Sequence, residues 1–225
     1  MQHTDADSPP SVPPHPGFHP GTGSGAQVLL VRHAEVHEDW RGKAYGSLDV
    51  PLSAAGEERT RALGDHLGTL APDALLGSPL ERARLLAERV RAASALDVTY
   101  DDGLREIDRG RWQGLTVADL HERHADDVEA FYADPWRWRG HGGEADEDVH
   151  ARAWRPLDAA LSSGRRRIVV ATHYNVLRVV TASALGTPPD RSFALRVDTG
   201  RAVLLVDGPQ GWELERSNAL WPDFS

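Results

Sequence analysis

The chain has 225 residues, contains no cysteine and carries a formal net charge of −9 at pH 7. The absence of cysteine excludes disulfides, thiolate catalysis and cysteine-based zinc sites. The acidity argues against nucleic acid or an anionic membrane surface as a partner, and the length is sufficient for one large domain with a substantial core.

The first 25 residues differ in composition from the rest of the chain. Residues 1–25 are rich in Pro, Gly, Ser and His and contain almost no apolar side chains, which predicts a disordered tail. The tail lacks the basic start and the apolar run of a secretory signal, and no later segment approaches the length of a membrane span. We therefore expect one folded domain over 26–225 and a cytoplasmic location.

Beyond the tail, apolar runs alternate with helix-like segments. Runs at 28–31, 74–77 and 168–171 predict strands, and Ser53 and Pro79 are residue types that begin helices. The remaining expected elements are a short strand at 97–100, helices over 117–124, 147–161 and 176–185, and closing strands at 201–207 and 212–214, antiparallel at the sheet edge. This alternation predicts an α/β fold, a three-layer α/β/α sandwich with a mostly parallel central sheet.

Polar residues follow each of the three main strands. Arg32 and His33 follow the first apolar run, Arg82 lies just beyond the second, and His173 follows the third. Because carboxyl ends of parallel strands meet at one edge of the sheet, where open α/β folds bind ligands, we expect these side chains to surround one small space. Two guanidinium groups and two imidazoles suit a phosphate, and a neutral imidazole can attack phosphorus.

Six blocks of the sequence occur in an order typical of one known family. They are LVRHAE (30–35), GSLDVPLSAAG (46–56), SPLERA (78–83), LRE with GRWQG (104–106 and 110–114), GGE (142–144) and TH (172–173). Over residues 27–218 the chain resembles the histidine phosphatase superfamily, the phosphoglycerate mutase-like enzymes. The short block at 104–114 resembles the phosphatase branch, including the α-ribazole phosphatases.

The resemblance implies a role for each matching residue. His33 is the expected nucleophile, which becomes transiently phosphorylated, while Arg32, Arg82 and His173 bind the non-bridging phosphate oxygens. Glu106 is the expected acid that protonates the leaving-group oxygen and then activates water. We expect no metal and no other cofactor, because arginine and histidine supply the positive charge.

The chain departs from the family pattern around the expected pocket. Asp39 stands where asparagine is frequent, and Tyr174 and Asn175 replace a pair of small residues. We therefore assign Asp39, Tyr174 and Asn175 as candidate substrate-binding residues. The segment 131–148, with two tryptophans, is expected to be an insertion that covers the site as a lid.

Other residues near the motifs have two interpretations. Arg41, Lys43, Arg109 and Arg111 could bind the far end of an anionic substrate or, taken singly, lie on a solvated surface. Glu144 could orient residues of the site or serve only its own loop.

Three functions fit these residues. The first is a metal-independent phosphomonoesterase that hydrolyses a small phosphorylated metabolite through phospho-His33. The second is a phosphoglycerate mutase, which would return the phosphoryl group to the substrate; the chain lacks the long segment expected after Glu106 in that class. The third is a non-catalytic phosphate sensor, although simple binding requires neither a nucleophile nor an acid.

Overall fold

A six-stranded sheet lies at the centre of the computed structural model, which describes residues 15–219. Its strands are β1 (Gln27–Arg32), β2 (Ala74–Gly77), β3 (Val98–Tyr100), β4 (Arg167–Thr172), β5 (Ala202–Gly208) and β6 (Gly211–Ala219). The α-helices in this range are α1 (Ala54–Thr69), α2 (Glu81–Ser94), α3 (Val117–Arg123), α4 (Ala125–Ala133), α5 (Asp146–Ser162) and α6 (Tyr174–Ala184). Within residues 15–219, no helix has both the length and the apolar character that crossing a bilayer requires.

The strands are arranged in the order β3-β2-β4-β1-β5-β6. Strands β3, β2, β4 and β1 are parallel to one another, whereas β5 and β6 are antiparallel additions at one edge. The register pairs Arg32 with Thr172 and Gly77 with Ala171, so the carboxyl ends of β1, β4 and β2 lie side by side. The predicted mostly parallel sheet and its antiparallel closing strands are confirmed.

Alternate residues of β1 are buried on opposite faces of the sheet, as the period of a strand requires. Val28 and Leu30 belong to an apolar cluster with residues of α5 and α6, whereas Leu29 and Val31 pack with residues of α1 and α2. Helices therefore cover both faces, and the three-layer sandwich is confirmed. Truncating a fully buried member such as Leu30 to alanine should cost about 2–5 kcal/mol.

Local hydrogen bonds fix where the helices near the sheet edge begin. The Ser53 hydroxyl accepts from the backbone N–H of Gly56 at 3.0 Å, which confirms Ser53 as the N-cap of α1. Helix α2 begins two residues after Pro79, and Asp49 from a separate loop accepts from the N–H of Glu81 at 2.8 Å. This cap connects the 46–56 and 78–83 sequence blocks.

The segment 15–25 differs from the expected disordered tail. The carboxylate of Asp207 accepts five hydrogen bonds from the backbone and hydroxyl groups of residues 22–24, at 2.7–3.0 Å. His15 is 3% exposed and packs edge-on against Trp136. Hydrogen bonds to Asp207 and the packing of histidine rings on tryptophans attach this segment, and a composition poor in apolar residues does not reveal such contacts. Residues 1–14 of the predicted tail lie outside the described residues.

The region around 131–148 also differs from expectation. Helix α4 was not predicted, and its residues Val128 and Phe131 pack with Trp112 in a separate apolar cluster. Trp138 contacts the same cluster, so its contacts are those of a packed structural residue. The helix has only nine residues, fewer than the stretch over which a helical period can be recognised in a sequence.

Candidate active site

The carboxyl edge of the sheet brings together four of the expected site residues. Arg32 ends β1, His33 follows it, Arg82 lies in the first turn of α2, and His173 directly precedes α6. The two histidine rings have centroids 5.2 Å apart, and His33, Arg82 and His173 are each at most 1% exposed. We call these four residues the base of the site.

The hydrogen bonding of His33 leaves one ring nitrogen available. Its Nδ1–H donates to the carbonyl oxygen of Ala34 at 2.7 Å, so the lone pair is on Nε2. Burial, together with the charges of Arg82 and Arg32, lowers the pKa of His33 well below 6.5. The ring is therefore neutral near pH 7, as a nucleophile must be. The carboxylate of the nearby Glu35 lies 3.2 Å from Arg41.

His173 is oriented by Ser78, a residue that the sequence analysis did not assign to the site. The hydroxyl of Ser78 lies 2.8 Å from Nε2 of His173 and accepts from the N–H of Leu80 at 3.3 Å. We assign the hydroxyl hydrogen to the bond with Nε2, which places the ring proton on Nδ1. That Nδ1 is buried without a hydrogen-bond partner. Burial is the main reason that the pKa of His173 lies well below 6.5.

Backbone carbonyl groups hold the two guanidinium groups of the base. Arg82 donates to the carbonyl oxygens of Gly46 and Leu48 at 2.8 and 2.7 Å, and Arg32 donates to that of Val197 at 2.7 Å. The Nε of each arginine is buried without a partner, and burial lowers the pKa of Arg82. A buried cation without a carboxylate partner is costly, and an anion bound beside it would offset that cost.

Gly46 is needed for this arrangement. Its φ is +46°, and a Cβ at this position would lie only 2.8 Å from the carbonyl oxygen of Ile107. Glycine therefore allows the 46–48 loop to approach both the Glu106 loop and the guanidinium group of Arg82.

Glu106 lies at the amino end of α6, beside the base. Its carboxylate accepts from the backbone N–H of Ile107 at 2.9 Å and from that of Asn175 at 3.2 Å. The residue is 6% exposed and lines the adjoining cavity, so the carboxylate is held in place but remains in reach of a ligand.

Arg152 and Glu144 fix the loop that carries Glu106. Arg152 donates to the carbonyl oxygens of Gly103 and Arg105 at 2.6 and 2.7 Å and pairs with Glu144 at 2.7 Å. Glu144 also accepts from the N–H of Asp108 at 2.9 Å. Glu144 thus positions the Glu106 loop from outside the site, while Arg152 was missed because nothing in its local sequence marks these distant contacts.

A cavity of about 390 Å³ adjoins the base. It is lined largely by the 40–46 loop, together with side chains that include Arg32, Glu35, Glu106, Arg109, Tyr174 and Asn175. We call the 40–46 loop, Glu35, Arg109, Tyr174 and Asn175 the rim. Tyr45 of this loop, also missed from the sequence, has its ring 5.1 Å from Cζ of Arg82 and 6.4 Å from the ring of His33.

The structure separates the three candidate substrate-binding residues. Tyr174 and Asn175 line the cavity, and the guanidinium group of Arg32 lies 5.2 Å from the centre of the Tyr174 ring. Asp39 is not a lining residue; its side chain is 78% exposed and lies 3.3 Å from Nδ1 of His37. No residue of 131–148 is among the lining residues within 15–219, whereas every residue of the 40–46 loop is.

A larger concavity lies at the opposite edge of the sheet. It has a volume of about 530 Å³ and is lined by apolar residues such as Leu29 and Val169 together with Gln27, Arg167 and Glu215. None of the four base residues lies there. Across the described range, no group of three or more His, Asp or Glu side chains is arranged to hold a metal ion.

Comparison with known proteins gives a consistent result. The model of the histidine phosphatase superfamily (branch 1) matches residues 28–220. Phosphoserine phosphatase 1 from Hydrogenobacter thermophilus is 29% identical over 177 residues, which cover 76% of this chain and 82% of that protein.

Two solved structures are similar along nearly their whole length. A mycobacterial glucosyl-3-phosphoglycerate phosphatase in complex with VO3 superposes with a TM-score of 0.76 at 28% identity, covering 86% of this chain and 99% of that one. The α-ribazole phosphatase from Shigella flexneri gives a TM-score of 0.73 at 27% identity, covering 86% and 97%.

Proposed function

Because the chain belongs to the histidine phosphatase superfamily and is a phosphoric monoester hydrolase, we propose that it hydrolyses a small phosphorylated metabolite without a metal ion. The proposed reaction passes through a phosphohistidine at His33. One observation carries the proposal: His33 presents a neutral Nε2 among three buried nitrogens without partners, the Nε atoms of Arg32 and Arg82 and the Nδ1 of His173. These nitrogens supply the positive charge and the N–H donors that a phosphoryl group requires as charge develops on its oxygens.

The first half-reaction transfers the phosphoryl group to the protein. Nε2 of His33 forms a bond to phosphorus while the bond from phosphorus to the leaving-group oxygen breaks. Glu106, in its protonated form, gives its proton to that oxygen, so the alcohol leaves as a neutral molecule. The hydrogen bond from Nδ1 to Ala34 holds the ring while Nε2 carries the phosphoryl group.

The second half-reaction restores the enzyme. Glu106, now a carboxylate, takes a proton from water as the water oxygen attacks phosphorus. The bond between Nε2 and phosphorus breaks, inorganic phosphate leaves, and His33 is again neutral. Tyr174 and Asn175, on the rim beside Glu106, are positioned to contact the leaving group.

The activities after which three of the similar proteins are named support hydrolysis. Phosphoserine, glucosyl-3-phosphoglycerate and α-ribazole phosphatases are all named for phosphatase activity on a small molecule. A cavity of about 390 Å³ is large enough for a metabolite of this class. The cytoplasmic location stays a prediction from the sequence.

The decisive measurement is phosphate release from a panel of monoesters in excess EDTA. The panel contains an aryl phosphate, α-ribazole phosphate, sugar phosphates and 3-phosphoglycerate. We expect EDTA-resistant release that is lost in His33→Ala, by roughly 10⁴-fold or more for removal of a nucleophile. His37→Ala, at an exposed histidine outside the cavity, is the matched control and should behave as wild type. A base-quenched reaction with labelled substrate should trap label on wild type and not on His33→Ala.

Other outcomes would replace the proposal with one of the alternatives. Isomerisation of 3-phosphoglycerate in the presence of bisphosphoglycerate, without phosphate release, would make the protein a mutase. Phosphate binding with neither activity would make it a sensor. Release that EDTA abolishes would contradict the metal-independent mechanism.

A further inference from the structure

Arg109 is a cation at the rim that the proposed hydrolysis does not use. It follows Glu106 by three residues, lines the cavity, and stacks its guanidinium group 4.8 Å from the centre of the Phe131 ring. One amino group donates to Oδ1 of Asn175 at 3.0 Å, while the other, NH1, is buried without a partner. Within residues 15–219, no carboxylate lies within ion-pair distance of Arg109.

The neighbouring charges balance the charge of Arg109 only in part, since the carboxylates of Asp146 and Glu106 favour its charged form whereas Arg178 opposes it. Arg178 lies beside it but is neutralised by Asp146, with two bonds of 2.6 and 2.8 Å. Asn175 accepts from both Arg109 and Arg178, so its amide oxygen bridges the two guanidinium groups. Burial and the repulsion from Arg178 lower the pKa of Arg109. A buried guanidinium group with one free donor edge is the usual arrangement for binding a carboxylate or a phosphate.

The position of Arg109 assigns it to the leaving group rather than to the transferred phosphoryl group. The base surrounds His33, and Glu106 must contact the leaving-group oxygen. Arg109 and Asn175 line the same cavity as Glu106, and the backbone N–H of Asn175 donates to the Glu106 carboxylate. A second cation is in the same cavity: Lys43 lies 5.6 Å from the centre of the Trp40 ring and, within the described range, has no carboxylate partner.

We propose that Arg109, assisted by Lys43, forms a subsite for a second anionic group on the leaving group of the substrate. The substrate class is then a phosphate monoester that also carries a carboxylate or a second phosphate. This inference rests on the proposed phosphatase function and adds a specificity-determining residue to it.

Matched substrate pairs test the subsite. Phosphoserine and phosphoethanolamine differ only in a carboxylate. In the second pair, glycerol 3-phosphate has a hydroxymethyl group in place of the carboxylate of 3-phosphoglycerate. Fructose 1,6-bisphosphate and fructose 6-phosphate differ in a second phosphate. We expect the wild type to prefer the more anionic member of at least one pair by about 10- to 100-fold in kcat/KM, the effect of one hydrogen bond to a charged group. The type of pair that shows the preference distinguishes carboxylate from phosphate.

Variants assign the preference to Arg109. Arg109→Met should lower kcat/KM for the more anionic member of the pair at least about tenfold more than for the less anionic member. Arg109→Lys should retain part of the preference. Lys43→Met, in a loop, should reduce the preference to a smaller extent. Arg111→Met is the matched control, because Arg111 is exposed, pairs with Asp127 outside the cavity and should leave the preference unchanged.

Three results would overturn the inference. The first is an equal kcat/KM for both members of every pair in the wild type. The second is an equal fall in kcat/KM for both members in Arg109→Met and in Arg109→Lys. The third is an unchanged preference in Arg109→Met, Arg109→Lys and Lys43→Met. The proposed function fails separately, by the absence of phosphate release from any monoester or by release that survives in His33→Ala.

Discussion

The base and the rim of the site are held in different ways. In the base, backbone carbonyl groups bind three of the four side chains: that of Ala34 holds His33, that of Val197 holds Arg32, and those of the 46–48 loop hold Arg82. The fourth, His173, is held by the hydroxyl of Ser78. At the rim, most of these contacts join side chains, as in the bond of Arg109 to Asn175 and the pair of Arg41 with Glu35, while Tyr174 donates to the carbonyl oxygen of Leu195. Backbone contacts fix geometry whatever the neighbouring side chains are, so the base can keep its chemistry while the rim changes. Substitutions should therefore affect turnover at the base and discrimination between substrates at the rim.

The largest effect of a change beside the base is expected for Glu106→Gln. Glutamine keeps the size and the backbone contacts but cannot give a proton to the leaving oxygen, so kcat should fall by about 10²- to 10⁴-fold with little change in KM. The loss should be smaller with an aryl phosphate, whose leaving group needs less protonation than an alcohol. Steady-state kinetics on both substrate types measures this difference.

Glu35→Gln is the matched control for this prediction, because Glu35 is a carboxylate of the rim. It should change kcat by far less than Glu106→Gln. If Glu106→Gln retains wild-type kcat on an alkyl phosphate, Glu106 is not the acid, and the distinction between base and rim would have to be redrawn.

Arg82→Lys tests whether the base depends on a guanidinium group or only on its charge. Lysine keeps the charge but cannot bond both loop carbonyl groups and still present a fixed N–H to the phosphoryl group. We expect kcat/KM to fall by about 10²- to 10³-fold, the cost of removing one preorganised donor. Arg84→Lys, at an exposed position on the same helix, should have almost no effect, since its pair with Glu88 is worth under about 1 kcal/mol. A similar fall in kcat/KM in both variants would indicate that lysine substitutions disturb the structure of α2 in general.

What the sequence predicts follows the same division. Each base residue adjoins an apolar run, so strand periodicity alone places Arg32, His33 and His173 at one sheet edge, and the structure brings them together there. The three-layer fold was predicted by the same alternation. These inferences need only local patterns and one topological rule.

The parts that the sequence did not reveal depend on contacts between distant residues. Arg152 binds carbonyl groups 47 and 49 residues earlier in the chain, and Asp207 binds the 22–24 segment more than 180 residues away. Asp39 was assigned to substrate binding by analogy, but the turn that carries it directs the side chain to solvent. No periodicity encodes such pairings, so the contacts of Arg152 and Asp207 had to come from the structure.

The smallest expected effect concerns pH, and it separates base histidines from exposed ones. Because the pKa values of His33 and His173 lie well below 6.5, both rings remain neutral when the pH falls to 6. If the nucleophilic histidine had the ordinary pKa near 6.5, only about a quarter of it would be neutral at pH 6, and kcat/KM would fall about fourfold. We expect no such loss once the ionisation of the substrate is corrected for, and His37→Gln should give the same profile as wild type. The contrary result is an inflection of kcat/KM near pH 6.5 that remains after the correction for substrate ionisation and is also present in His37→Gln. It would mean that the histidines of the base are not neutral at pH 6.

The same two histidines should make stability depend on pH. In the unfolded chain they titrate near 6.5, whereas in the folded protein their pKa values are lower, so below pH 6.5 the unfolded state binds more protons. The free energy of unfolding should therefore fall as the pH is lowered from 7.5 to 5.5, and it should not change on this account above about 7.5. Urea unfolding at several pH values should show a smaller fall in His33→Gln, which removes one titrating ring, than in wild type or His37→Gln. An equal fall in the free energy of unfolding in wild type, His33→Gln and His37→Gln would mean that the folded protein does not hold His33 neutral. His33 would then not be a preformed nucleophile.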